Sequence, residues 1–177
     1  SLKLQLEKET GDINGYRQTL AELVKQSPED RNLSIEYVNM LLSGQKTQLA
    51  LEHVEKLREE HTFWPPALVA HAQVLIAQQE FEEAQRVLRS LYGLVSDNMQ
   101  LVRLGELFLQ ARAPEFVRKT INRAKNVGIQ GAELTRLEIN LQFATDDKSE
   151  AIVRLIKLTK ELGQARDYLQ LAKYQAE

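Results

Sequence analysis

Cysteine is missing from the chain, so there is no disulfide framework and no thiolate chemistry. Neither sign of charge dominates: 23 basic residues face 25 acidic ones, the net charge is -2 and the pI is near 6.0. That balance points to neither nucleic acid nor membrane insertion. No apolar run approaches the ~18 residues that a spanning helix requires. No signal-peptide pattern is read in these residues; the sequence opens at Ser1 without Met and directly in helical pattern, which leads us to expect a segment of a longer protein, with any targeting signals outside it.

The usual marks of catalysis are scarce too. The histidines, His53, His61 and His71, have no second His or Cys at helical ligand spacing, and His-Glu-x-x-His does not occur. Gly128-Ile129-Gln130-Gly131 lacks the Lys and the preceding strand of a phosphate loop. The acidic runs around Glu52–Glu60 and Glu80–Glu83 read as solvated helix faces, as does the basic stretch from Arg112 to Lys125. No catalytic, cofactor or metal site is expected, and the chain is not expected to be an enzyme.

What is present is a core-forming pattern. Hydrophobic residues make up 43% and charged residues 27%, a balance that supports a packed fold and excludes a disordered one. Tyr16, Ala50, Ala84, Val117 and Ala151 are spaced 34, 34, 33 and 34 residues apart. Four residues after each stand Leu20, Val54, Leu88, Ile121 and Leu155, and three further on Leu23, Leu57, Leu91, Ala124 and Leu158. Offsets of four and three place these residues on one helix face. A second series, Val38, Ala72, Gly105, Ile139 and Ala172, runs out of phase with the first and marks a second amphipathic helix per unit.

Short polar breaks separate the two, such as Ser43-Gly44-Gln45, Gln78-Gln79-Glu80 and Arg112-Ala113-Pro114. Gly suits the left-handed turn, Asp and Ser suit N-caps, and Pro114 suits a first helical turn. Pro28 and Pro65-Pro66 mark hand-overs between units. No period-two alternation signals a strand. The pattern predicts an all-α chain of eleven helices, near 1–9, 12–26, 30–43, 46–60, 65–78, 81–93, 97–111, 114–127, 131–144, 148–162 and 164–176. They group into a single repeat array, 1–177, with units near 1–30, 31–64, 65–97, 98–131 and 132–163 and a terminal helix 164–177. A hairpin of this size cannot bury enough surface alone, so the units must stack. Ala84 and Gly105 are expected where helix axes approach closely. Trp64 is expected to staple two helices, and the last helix to turn Arg166, Asp167, Gln170 and Lys173 outward as a polar cap.

In the unit 65–98, Leu68, His71-Ala72 and Leu75 precede Phe81, Glu83-Ala84, Leu88 and Leu91, and Glu80-Phe81-Glu82-Glu83-Ala84 opens the second helix. Leu104-Gly105, Phe108 and the closing Ser27-Pro28 add to this. In these residues the chain resembles the tetratricopeptide repeat (TPR) family. It departs from the family in lacking the early Trp of each unit, in Glu138 and Gln142 at apolar positions, and in Pro114 and Val117.

The resemblance implies a superhelical solenoid of antiparallel helix pairs whose first helices line a concave groove. Here that wall would be Asn32, Ile35, Asn39, Val69, Gln73, Met99, Val102, Glu106, Arg136, Asn140 and Phe143. Members that hold a C-terminal carboxylate place basic residues where Ile35, Val69 and Val102 stand, so a chaperone-tail receptor is not expected. The resemblance implies a scaffold or adaptor that binds another protein or a peptide, with bacterial secretion or envelope assembly as the setting. Self-association through Leu2, Leu4, Tyr168 and Leu171 is the alternative. The compartment stays open between cytoplasm and periplasm.

Overall fold

The computed structural model of the chain describes residues 2–95, 98–145 and 148–176, with backbone alone for 98 and 99. Among them are eleven α-helices: α1 (Leu2–Thr10), α2 (Ile13–Gln26), α3 (Arg31–Ser43), α4 (Thr47–Glu60), α5 (Pro65–Ala77), α6 (Phe81–Tyr92), α7 (Asn98–Gln110), α8 (Pro114–Asn126), α9 (Ala132–Thr145), α10 (Lys148–Leu162) and α11 (Ala165–Ala176). Every expected helix is there, with ends moved by at most one residue.

The starts follow from local chemistry. The Asp12 carboxylate accepts from Gly15 N at 2.9 Å, and Asp30 accepts from Asn32 N and Leu33 N at 3.0 and 3.1 Å. Each satisfies N–H groups that a helix start leaves without partners. Pro65 and Pro114 open α5 and α8, where a missing N–H costs nothing.

The ends correct one expectation. Gly44 stays right-handed at φ -88, and the left-handed residue is its neighbour Gln45, φ 57. Gln79 (φ 64) and Arg112 (φ 56) repeat this in later units. All three turns carry the same pair of bonds. Lys46 N reaches Leu41 O at 2.9 Å while Gln45 N reaches Leu42 O at 3.0 Å. Glu80 and Gln79 do the same with Leu75 and Ile76, and Ala113 and Arg112 with Phe108 and Leu109. This is the Schellman arrangement, in which the left-handed residue is the second after the last helical one. Gly44 is one position too early.

The chain divides into two compact units, Ser1–Leu91 and Tyr92–Glu177. In the N-terminal unit α3 packs on α4, and α4 also packs on α5. Val38, Leu41, Ala50, Val54, Ala70 and Val74 form its core, flanked by Ile35, Tyr37, Met40, Leu42 and Leu51. In the C-terminal unit α7 packs on α8, α9 on α10, and α8 and α10 reach forward to α9 and α11. Ile139, Phe143, Ala151, Leu155, Leu158 and Tyr174 form its core. Burying each large side chain contributes roughly 1.5–3 kcal/mol. In both units the first helices of successive pairs are also neighbours, α3 with α5 and α7 with α9. Gly105 explains the second of these: a Cβ there would run into Leu137 Cδ2. The polar departures in α9 have partners as well. Arg154 donates to Gln142 Oε1 at 2.8 Å and Glu138 Oε2 at 3.1 Å, and Lys125 pairs with Glu138 at 2.6 Å.

Candidate functional site

The wall expected from the first helices divides into residues open to a guest and residues already committed. In the N-terminal unit Asn32 and Asn39 are exposed on α3, while Ile35, Val69 and Gln73 are half-buried on α3 and α5. Ile35 leans on the core beneath it. Trp64 caps the start of α5, half-buried, with the Arg31 guanidinium 5.1 Å from its ring centre and the His61 ring edge-on at 6.1 Å. It joins the starts of α3 and α5, a stapling role.

In the C-terminal unit Met99 lies in α7, but its side chain is outside the described residues. Arg136, Asn140 and Phe143 do not form a free wall, because α11 lies against them. Arg136 is 8% exposed and Asp167 1%. Nε and Nη2 of Arg136 donate to Oδ1 and Oδ2 of Asp167 at 2.6 and 2.7 Å, a two-pronged contact. Nη2 also reaches Gln164 Oε1 at 2.9 Å, and Nη1 reaches Glu133 Oε1 at 3.2 Å. Asp167 therefore points inward, not outward as expected of a cap. The Arg136 guanidinium holds its carboxyl below the ordinary value. Farther along, the Phe143 and Tyr174 rings stack at 3.5 Å, and the Tyr174 hydroxyl donates to Asn140 Oδ1 at 2.7 Å. A buried Arg needs a carboxylate partner, and α11 supplies it.

The two remaining wall residues of this unit, Val102 and Glu106, line a cleft of about 760 Å³. Its floor is apolar, from Val102, Ile129 and Leu134, and its rim carries Arg103, Glu106, Glu133 and Arg166. The segment Gly128–Gly131 closes one side, with φ 80 at Gly128 and φ 123 at Gly131. In the sequence that segment lacks the marks of a phosphate loop, and its paired glycines are the signal that the backbone bends there. Arg103, Glu133 and Arg166 left no such signal. Glu133 is held by Arg166, whose Nη1 donates to Oε2 at 3.0 Å, and by Arg136. Glu106 has no hydrogen bond or ion pair among the described residues. Its carboxyl is pushed above the ordinary value, first by partial burial and then by the charge of Glu133.

The histidines serve packing. His53 meets the Tyr37 ring edge-on at 4.7 Å, and His71 is buried beside Arg58. Among the described residues no group of three or more His, Asp or Glu is placed to hold a metal, and no helix is long and apolar enough to cross a membrane.

No protein-family model matches the sequence, and no curated protein does. Solved structures do match. A tetratricopeptide repeat protein from Parabacteroides merdae superposes with a TM-score of 0.71 at 16% identity, over 98% of this chain and 68% of that one. TTC0263, a thermophilic TPR protein in Thermus thermophilus, gives 0.74 at 13% identity, over 99% and 96%. YrrB, a TPR protein with an unusual peptide-binding site, gives 0.56 at 17% identity, over 89% and 82%. All three are named as tetratricopeptide repeat proteins. Eleven helices in sequential antiparallel pairs, a repeat near 34 residues and these superpositions together give the chain the tetratricopeptide repeat fold.

Proposed function

We propose that this chain is a non-catalytic interaction scaffold whose first helices hold a segment of another protein. The observation that carries this reading is the cleft beside α7 and α9. It has an apolar floor, a charged rim and a volume of about 760 Å³, within the range of sites that enclose a ligand group. The exposed amides Asn32 and Asn39 and half-buried Val69 and Gln73 offer a second wall, in the N-terminal unit, suited to an extended segment. The peptide-binding site named for YrrB supports the same use of this fold. A bacterial setting, in secretion or envelope assembly, is in keeping with neighbours from Parabacteroides merdae and Thermus thermophilus.

Random displayed peptides selected on the chain test this. Ile129→Asp in the cleft, or Asn39→Arg with Gln73→Arg on the other wall, should weaken a selected peptide about tenfold, with circular dichroism unchanged. Glu161→Gln, on the exposed side of α10, should change nothing. Peptides that ignore both walls, or no selection at all, would overturn the reading.

Self-association is a second reading with its own observation. Leu2 is 87% exposed and Leu169 73%, and Leu6 and Tyr168 are exposed as well. Leu4 and Leu171, expected in the same surfaces, are buried and half-buried. Light scattering that shows mass rising with concentration, and a monomer for Leu169→Lys, would favour it.

A further inference from the structure

The residues of the cleft narrow the chemistry of the guest it would hold. Three acidic and three basic side chains stand in or directly behind it, and most are already matched. Arg136 is bound by Asp167, and Glu133 by Arg166 and Arg136. Gln164 Oε1 accepts from both Arg136 and Arg166. The start of α9 has its complementary negative charge in Glu133, within its first turn. An incoming anion would have to compete with that carboxylate for Arg166 and for the helix end. Arg103 remains, exposed on α7 one turn before Glu106 and, like it, without a hydrogen bond or ion pair among the described residues.

Glu106 is the acid of the cleft that has no such match among the described residues. Its carboxylate shares the cleft with Val102, Ile129 and Leu134 and has no partner among the described residues. Glu106 is exposed at the cleft wall, yet desolvation there and the nearby Glu133 disfavour its negative charge more than Arg103 and Arg166 favour it. A carboxylate in that condition gains most from an arriving cation, which replaces lost hydration and opposes the second negative charge. Below it the apolar floor matches the methylene stem of a long basic side chain, which covers apolar surface while its charged head meets an acid.

We propose that the cleft of the C-terminal unit is a pocket for one basic side chain, lysine or arginine, of the bound segment, with Glu106 as its counter-charge and Val102, Ile129 and Leu134 beneath its stem. The proposal rests on the scaffold reading, and it also makes a prediction that needs no partner. In a nuclear magnetic resonance titration, Nα-acetyl-lysine amide should shift the amides of Glu106 and of residues 128–131 more than Nα-acetyl-norleucine amide does. Glu106→Gln should remove the difference. Equal shifts from the two probes, or shifts elsewhere, would overturn the pocket whatever the peptide selection shows.

With selected peptides, one position should be enriched in Lys or Arg. Replacing that residue by norleucine should weaken binding about tenfold in the wild type and little in Glu106→Gln. Glu106→Lys should reject the basic peptide and turn selection toward acidic ones. Peptides bound at the cleft without basic preference would refute the pocket and leave the scaffold reading standing; failure to select any peptide would refute the scaffold reading, with the lysine titration still deciding the pocket.

Discussion

In the N-terminal unit the Arg58 guanidinium meets a neutral ring: Nη1 lies 2.6 Å from His71 Nδ1, Arg58 Nε is buried without a partner, and no carboxylate among the described residues pairs with Arg58. In the C-terminal unit Arg136 meets Asp167 through two bonds of 2.6 and 2.7 Å, with Gln164 and Glu133 behind them. Both units set a long cation against the following helices. One leaves its charge uncompensated next to a titratable base, and the other neutralises it with an acid. The first arrangement makes stability depend on mild acid, whereas the second makes it depend on keeping both members of a pair.

The largest effect follows from the second arrangement. Asp167→Ala leaves the buried Arg136 charge with only the longer Glu133 contact at 3.2 Å and the Gln164 amide, and should cost about 3–5 kcal/mol in urea unfolding of the C-terminal unit. Replacing both members, Arg136→Met with Asp167→Leu, should recover most of that loss. A small loss for the single change would show that Glu133 and Gln164 suffice for Arg136.

The seams between first helices differ as well. Ala72 in the N-terminal unit is buried and carries its Cβ without difficulty, whereas the matching Gly105 has Leu137, 1% exposed, where a Cβ would go. Gly105→Ala should therefore destabilise by about 1–3 kcal/mol despite its better helix propensity. Ala72→Gly should destabilise too, by about 1–2 kcal/mol, through helix propensity and the loss of a buried methyl. If Gly105→Ala stabilised instead, Leu137 would have room to move aside.

The pH response separates the units next. Burial, and then the Arg58 charge, lower the His71 pKa from 6.5 to about 4. A lowered pKa means that the unfolded chain takes up the proton first, so stability present at neutral pH is lost as the pH falls from about 6.5 toward 4. The loss should reach about 1–2 kcal/mol by about pH 5. Asp167, with its pKa lowered by Arg136, contributes stability that is fully present above its unfolded value and goes only in stronger acid. Hydrogen exchange, corrected for intrinsic rate, should loosen α4 and α5 before α9 and α11. His71→Gln should remove that difference. Simultaneous loosening in the wild type would sever the link to His71.

These contrasts also show which features a sequence can reveal. Helix positions were legible because apolar spacing and turn residues recur with the unit, and Gly105 stood out as a small residue in a large-residue row. The inward turn of Asp167 was not. Periodicity assigns a charge to the outside, and the reason to bury this one is Arg136, 31 residues earlier, whose own place on the wall was expected to be free. The cleft was half legible: Val102 and Glu106 lay on the expected helix face, whereas Arg103, Glu133 and Arg166 come together only through packing. Phe143 followed a helical spacing that fits groove and core equally, and only the ring of Tyr174 decides between them.

The smallest effect concerns the turns, and it runs in opposite directions in the two units. Gln79 ends α5 with φ 64 and pays for it in Cβ crowding, whereas Gly163 ends α10 with φ 63 and has no Cβ to crowd. A left-handed residue other than glycine costs roughly 1–2 kcal/mol, and glycine's greater freedom in the unfolded chain returns about half of that difference. Gln79 is exposed, so its side chain gives up little packing. Gln79→Gly should therefore stabilise the N-terminal unit by about 0.5–1 kcal/mol. A Cβ at Gly163 meets nothing within 4 Å, so Gly163→Gln should destabilise the C-terminal unit by a similar amount through the backbone alone. Chemical denaturation read in both units would show the pair of shifts with opposite signs. Equal signs would mean that side-chain contacts, and not the left-handed backbone, set the cost of these turns.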